Sequence, residues 1–236
     1  MRAATERLIV AFDSDNLSQT LRMAKQLQGI VRYAKIGSIL FTAAGPAAIQ
    51  RVRALGFEVF LDLKFHDIPS TVEKSCRAAV HHRVWMLTVH ASGQRQMLEA
   101  AADGARREAS RLGLIPPRLV GVTVLTSVGA GRQVSVTRRV VALADEARRA
   151  GLDGVVASPH EAAAIRRRLG KQFVIVCPGI RPAEASAADQ RRVSTPRDAI
   201  SQGADYLVIG RPITEAKDPH VVVRRILAEM EVSCAC

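Results

Sequence analysis

Leu8-Ile9-Val10-Ala11-Phe12, followed by Asp13-Ser14-Asp15-Asn16, is the stretch on which the fold turns. An unbroken apolar run without polar alternation marks a strand covered on both faces, as in parallel sheets whose crossover helices shield each side. A doubly wound open sheet, the structural competitor, carries a glycine-rich phosphate loop after its first strand. Here two aspartates, a serine and an asparagine stand in that place. Working outward, the same unit recurs: a short Val/Ile-rich run, then an Ala/Arg/Leu stretch with helical spacing. Strands are expected at 8–12, 33–36, 58–63, 85–89, 119–125, 154–157, 173–177 and 206–209. The helices between them are expected at 17–28, 46–55, 71–82, 96–111, 136–150, 161–169, 196–202 and 219–231. Gly29, Gly56, Gly113, Gly151, Gly170 and Gly203 each follow a helical stretch, where a left-handed cap is expected. Eight β/α units in 236 residues match the size of a (β/α)8 (TIM) barrel. We therefore expect the α/β class and one barrel domain over residues 1–236.

Composition narrows the function classes. Thirty-four basic against 22 acidic side chains give a net charge of +12, which raises nucleic-acid binding as a possibility. Only 4% of residues are aromatic, too few for base-stacking platforms, and no helix-turn-helix or zinc-finger spacing occurs. The excess is almost all arginine, 28 against six lysines, and much of it falls on the polar faces of outer helices: Arg106-Arg107, Arg138-Arg139, Arg148-Arg149, Arg166-Arg167-Arg168 and Arg224-Arg225. We read it as a solvated surface. No apolar run approaches the ~20 residues that span a bilayer, and the first residues lack the core of a signal peptide. Cys76 and Cys177 sit alone in apolar segments, Cys234 and Cys236 lie in the tail, and no zinc-type spacing links them. A cytoplasmic protein with no membrane and no nucleic-acid partner is the expectation.

In such a barrel the chemistry gathers at the C-terminal ends of the strands. Those positions hold Asp13, Lys35, Asp62, Lys64, His90, Thr126-Ser127, Ser158, Pro178-Gly179-Ile180-Arg181 and Gly210-Arg211. Two of the six lysines thus fall in apolar strand runs, where a solubility role makes no sense. Strand alternation puts Asp62 and Lys64 on one face, with Leu63 pointing away. Lys35, Asp62, Lys64 and Asp67 are expected to form a compensated charge array. Nearby carboxylates favour the ammonium form of Lys64. This disfavours Schiff-base chemistry and suits proton donation to a carbanion. Gly179 with Arg181, and Gly210 with Arg211, stand where barrels bind phosphate, after strands seven and eight. The polar loop 182–195 reads equally as a cover that closes over such a ligand or as a floppy connection. His66 and His90 read as packed or hydrogen-bonded neighbours of the site. His81 and His82 read as solvated residues at a helix end.

Asp62-Leu63-Lys64-Phe65-His66-Asp67-Ile68-Pro69-Ser70-Thr71 resembles the signature of the orotidine 5′-phosphate decarboxylase family, in its bacterial form. The likeness continues through Lys35-Ile36-Gly37, Val89-His90-Ala91-Ser92-Gly93, Pro178-Gly179-Ile180-Arg181-Pro182 and Val208-Ile209-Gly210-Arg211-Pro212. It implies decarboxylation of orotidine 5′-monophosphate (OMP) to UMP and CO2, without metal or other cofactor, in a homodimeric barrel. By that resemblance Lys64 protonates C6 of the pyrimidine and Asp62 lies against the departing carboxylate. Lys35 and Asp13 hold the ribose, while Thr126 and Ser127 read the base. Arg181, Gln190, Gly210 and Arg211 hold the phosphate, Gln190 also reaching the base, and Pro178 belongs to the substrate-binding set. The same resemblance implies that the loop 182–195 is a cover that closes over the ligand. Asp67, Ile68 and Thr71 serve the neighbouring subunit's site. Thr88 departs from the usual Asn, Gln94 from a usual Gly, and the segment 128–134 is shorter than the family's.

The nearest alternative is an Mg2+-dependent phosphosugar decarboxylase or synthase of the same barrel superfamily. Such enzymes share the Asp-x-Lys-x-x-Asp pattern but carry a carboxylate metal ligand on strand two, where this chain has Lys35. A basic nucleic-acid-binding protein is the alternative from another class.

Overall fold

The eight apolar runs form eight parallel strands, paired in sequence order in a closed barrel, β1 to β8. The computed structural model describes residues 3–125, 133–182 and 194–232, with the backbone alone at 133, 134 and 232. The strands are β1 (Leu8–Phe12), β2 (Tyr33–Gly37), β3 (Glu58–Phe65), β4 (Met86–His90), β5 (Arg118–Val122), β6 (Gly154–Val156), β7 (Val174–Cys177) and β8 (Tyr206–Ile209). Between and after them lie α1 (Leu17–Leu27), α2 (Ser38–Ala44), α3 (Pro46–Ala54), α4 (Pro69–His81) and α5 (Gln94–Arg111). Then follow α6 (Gln133–Arg149), α7 (Pro159–Leu169), α8 (Pro196–Ser201), α9 (Arg211–Thr214) and α10 (Pro219–Val232). All eight expected strands and all eight expected helices are present, with ends shifted by a few residues. Two short helices, α2 and α9, were not expected. All six predicted capping glycines adopt positive φ.

The chain divides into two compact units, Met1–Val59 with Val176–Cys236, and Phe60–Ile175. In the first, β1 is buried throughout and pairs with β2 on one side and β8 on the other. Its core holds edge-to-face ring pairs, Phe12 with Phe57 at 6.3 Å and Tyr33 with Tyr206 at 5.7 Å. The Arg7 guanidinium donates to the carbonyls of Ala204 and Asp205, tying the start of β1 to the turn before β8.

In the second unit β4 pairs with β3 and β5, and β5 with β6. A Cβ on Gly154 would lie 2.6 Å from Val174 Cβ, so β6 can open only with glycine. Helices α4 and α5 pack through Glu108, which is buried yet fully engaged. Its carboxylate accepts from Arg111 at 2.6 Å and lies 2.8 Å from His81 Nε2 and 3.4 Å from Arg77. The Arg111 hydrogen bond, with His81 and Arg77 behind it, outweighs desolvation and holds Glu108 down at about 2. His81 is thus a hydrogen-bond partner of Glu108 as well as a half-exposed helix-end residue. Cys76 and Cys177 are buried and outside any disulfide, and burial pushes Cys76 up to about 12. Among the described residues no helix is long and apolar enough to cross a membrane.

Several surface arginines are less free than composition suggests. Arg148 donates to the Leu169 carbonyl, and Arg166 to the carbonyls of Gly170 and Phe173, closing the C-terminal end of α7. Arg149 and Arg168 both meet Asp145. These forks serve as helix-end donors and local ion pairs.

Candidate active site

In the first unit, Lys35 at β2 and Asp13 just after β1 form an ion pair, Nζ to Oδ1 2.8 Å. Lys35 is buried to 8% exposure, in a strand that is buried throughout, whereas the Asp13 side chain is half-exposed. Gly37, two residues beyond Lys35, makes room for the pair. A Cβ there would lie 2.9 Å from Asp13 Oδ1 and 3.0 Å from Lys35 Nζ. Gly210, after β8, borders the same aspartate, its Cβ position 3.9 Å from Asp13 Oδ2. Pro178 and Gly179 follow β7, with Gly179 at φ +75°. The Arg181 N–H donates to the Ser194 carbonyl, and Ile180 bridges Ser194, so residues 180–181 and 194 are joined. Arg211 is exposed at the start of α9.

The second unit carries Asp62 and Lys64 at the end of β3. Lys64 Nζ donates to Asp62 Oδ2 at 2.9 Å. Their meeting is as expected, but the cause is different. Simple strand alternation fails here: Leu61 faces Leu87 and Phe65 faces Val89, so residues 62–64 stand against Thr88 alone. This bulge is accompanied by a left-handed Lys64, at φ +52°. The displaced Lys64 N–H is caught by Thr88 Oγ1 at 2.8 Å, and Thr88 donates its own hydroxyl proton to Asp62 Oδ1 at 3.1 Å. Leu63, expected to turn away, is half-buried.

His66 and His90 stack at 5.2 Å between ring centroids. Burial, reinforced by His66 and the Lys64 ammonium against the opposing pull of Asp62, pushes His90 below the usual imidazole range. His90 is therefore a neutral packing neighbour of the lysine at pH 7, in keeping with its reading as a packed residue.

Asp67 lies just beyond. Its carboxylate accepts the Ile68 N–H at 2.6 Å, and Asp67, Ile68 and Thr71 are all exposed. Ile68 is 63% exposed. Ser158 is an N-cap, accepting from the N–H of His160 in α7. Thr126, Ser127, Gln190, the segment 128–132, the tail cysteines Cys234 and Cys236, and residues 183–193 of the expected lid lie outside the described residues. Among the described residues no three His, Cys, Asp or Glu side chains cluster as metal ligands.

Two residues of this geometry went unrecognised as such in the sequence. Thr88 stood out only as a departure from a family pattern, although a threonine at 0% exposure inside an apolar strand must find a polar partner. Gly37 gave no signal beyond its place next to a buried lysine.

A family model described as orotidine 5′-phosphate decarboxylase / HUMPS family matches residues 6–226. The orotidine 5′-phosphate decarboxylase of Moorella thermoacetica is 48% identical over 236 residues, covering 97% of this chain and 94% of its own. That of Nitrosococcus oceani is 47% identical over 230 residues, covering 95% and 97%. The crystal structure of orotidine 5′-phosphate decarboxylase from Lactobacillus acidophilus superposes with a TM-score of 0.82 at 35% identity, covering 95% of this chain and 99% of that one. With its Asp-x-Lys pair in place and likeness along nearly its whole length, this chain belongs to the orotidine 5′-phosphate decarboxylase / HUMPS family.

Proposed function

We propose that this chain is a carboxy-lyase that converts OMP to UMP and CO2 in pyrimidine biosynthesis, acting as one barrel domain over residues 1–236. The observation that supports this reading most strongly is the Lys64–Asp62 pair, an ammonium 2.9 Å from a carboxylate buried to 8% exposure. Loss of CO2 from C6 leaves an electron pair on that carbon. The Lys64 ammonium supplies a proton to it and also stabilises the negative charge as it develops. Asp62, lying against the substrate carboxylate, repels it in the ground state. That repulsion disappears as neutral CO2 departs. Lys64 is left as the free amine and recovers its proton from solvent.

The remaining roles follow the family resemblance. Lys35 and Asp13, already paired at 2.8 Å, hold the ribose hydroxyls. Arg181, Gln190, Gly210 and Arg211 hold the phosphate, Thr126 and Ser127 the pyrimidine edge, and Pro178 lines the substrate site. Asp67, Ile68 and Thr71 complete the site of a second subunit in a homodimer. Their exposure, with a large apolar Ile68 among them, supports a covered position in the assembly. The reading includes a cytoplasmic location, consistent with buried cysteines at 76 and 177 that form no disulfide.

The family model spans two chemistries, and the strand-two lysine favours the metal-free one. An ammonium ion-paired to Asp13 offers a divalent cation repulsion rather than a ligand. Loss of OMP absorbance, followed with wild type and with Lys64→Ala, tests the proposal. Turnover by the wild type, insensitive to EDTA and reduced by several orders of magnitude in the folded variant, is expected. A near-wild-type rate in Lys64→Ala removes the assigned proton donor.

A further inference from the structure

We propose that Thr88 is a positioning residue for this reaction, its hydroxyl fixing both members of the Lys64–Asp62 pair at once. The inference rests on the decarboxylase reading above and extends it to a side chain that need not touch substrate.

The argument begins with the bulge. Three residues of β3 stand against one of β4, so the Lys64 N–H has no regular ladder position opposite it. It is directed instead to Thr88 Oγ1 at 2.8 Å. A left-handed lysine is a sparsely populated state, and it persists only where surrounding contacts determine it. The hydroxyl has one proton to give, and that proton goes to Asp62 Oδ1 at 3.1 Å. The second carboxylate oxygen, Oδ2, takes the Lys64 ammonium at 2.9 Å. One hydroxyl therefore orients the carboxylate from one side and pins the lysine backbone on the other, so that the side chain returns to the same carboxylate. Thr88 is suited to this. It is wholly buried, its neighbours Leu87 and Val89 are apolar, and its branched Cβ restricts χ1, so the hydroxyl is held in one direction.

Thr88→Val keeps the shape and removes the hydroxyl, taking away the acceptor for the Lys64 N–H and one donor to Asp62. Losing hydrogen bonds of this charge-assisted kind lowers kcat by about 10- to 100-fold, with KM for OMP changed less than about threefold. Thr88→Ser, which restores the hydroxyl, recovers most of the rate. If valine impairs folding, the ratio of Thr88→Ser to Thr88→Ala reads the hydroxyl alone, and about tenfold is expected. A ratio near one, or a valine variant within threefold of wild type, overturns the proposal. A second measurement separates this inference from the reaction itself. Amide hydrogen exchange at Lys64 should quicken at least tenfold in the valine variant but not in the serine variant. Equal exchange in the two refutes the positioning role whatever the enzyme does. Absence of OMP turnover by the wild type, with the exchange difference intact, removes the decarboxylase reading instead.

Discussion

Gly37→Ala is a one-carbon perturbation whose consequence for stability and for activity should differ. Gly37 has φ −93° and ψ −176°, an extended conformation open to any residue, so the substitution brings no backbone strain. The added methyl would stand 2.9 Å from Asp13 Oδ1 and 3.0 Å from Lys35 Nζ. Ordinary contact distances are about 3.5–4.0 Å, so these atoms must retreat by roughly 0.5–1 Å. Both are the ends of side chains, and no backbone atom obstructs the methyl. Lys35 is buried while Asp13 is half-exposed, so the carboxylate is the part that swings outward. The ion pair at 2.8 Å opens. A half-exposed pair of this kind contributes less than about 1 kcal/mol to folding, whereas displacing the two groups that hold the ribose is expected to cost roughly 5- to 30-fold in kcat/KM. Folding stability should change by less than about 1 kcal/mol, since the displaced group moves toward water. Decarboxylation followed by absorbance, paired with urea denaturation, reads both quantities. A variant with kcat/KM within twofold of wild type would refute the claim that Gly37 exists to admit this pair. A destabilisation above about 2 kcal/mol would show that the methyl meets something less yielding than two side-chain ends.

Other expectations follow from the geometry of the helices and of the histidine pair. Gln94 adopts φ +65°, so Gln94→Gly should raise stability by about 0.5–1 kcal/mol, and a melting temperature equal to or below wild type contradicts it. Glu108 has its folded pKa depressed to about 2 from 4.5, so its contribution to stability is fully present above pH 4.5 and is lost as pH falls toward 2. Urea midpoints between pH 5 and 2 should therefore fall less steeply in Glu108→Gln than in wild type; parallel profiles exclude the assignment. His90, pushed below 6.5, should titrate in an NMR experiment at lower pH than an unperturbed imidazole, and more nearly normally in Lys64→Ala, which lacks the neighbouring ammonium.

The fold was legible because its signals are local and repeated. Runs such as Leu8–Phe12 and Val174–Cys177 need no partner to declare themselves buried strands, and glycines at helix ends mark where each unit stops. The short helices were not legible. At seven and four residues, α2 and α9 are too short to display a 3.6-residue period. Asp62 and Lys64 were found for a reason that does not hold, since alternation and the bulge both bring them together. A register change depends on what β4 presents to β3, and that information lies more than 20 residues away, at Thr88. The Lys35–Asp13 pair illustrates the same limit: both residues could be singled out by strand-end position, but not joined. The arginines show it in reverse. Read singly they look like solvated charge, yet Arg148 and Arg166 close carbonyls that come from other segments of the chain.

Lys64 has a consequence for any effort to improve this protein. Its left-handed backbone is disfavoured for an L-residue by about 1–2 kcal/mol, and the strain sits at the residue assigned to move the proton. Lys64→Gly should therefore be more stable than Lys64→Ala by about 1 kcal/mol, although neither retains the ammonium. Selection for thermal tolerance alone would favour relaxing this position early. Libraries screened for stability should accumulate well-folded, inactive barrels whose losses begin at the third strand, so a useful screen must demand turnover at every round.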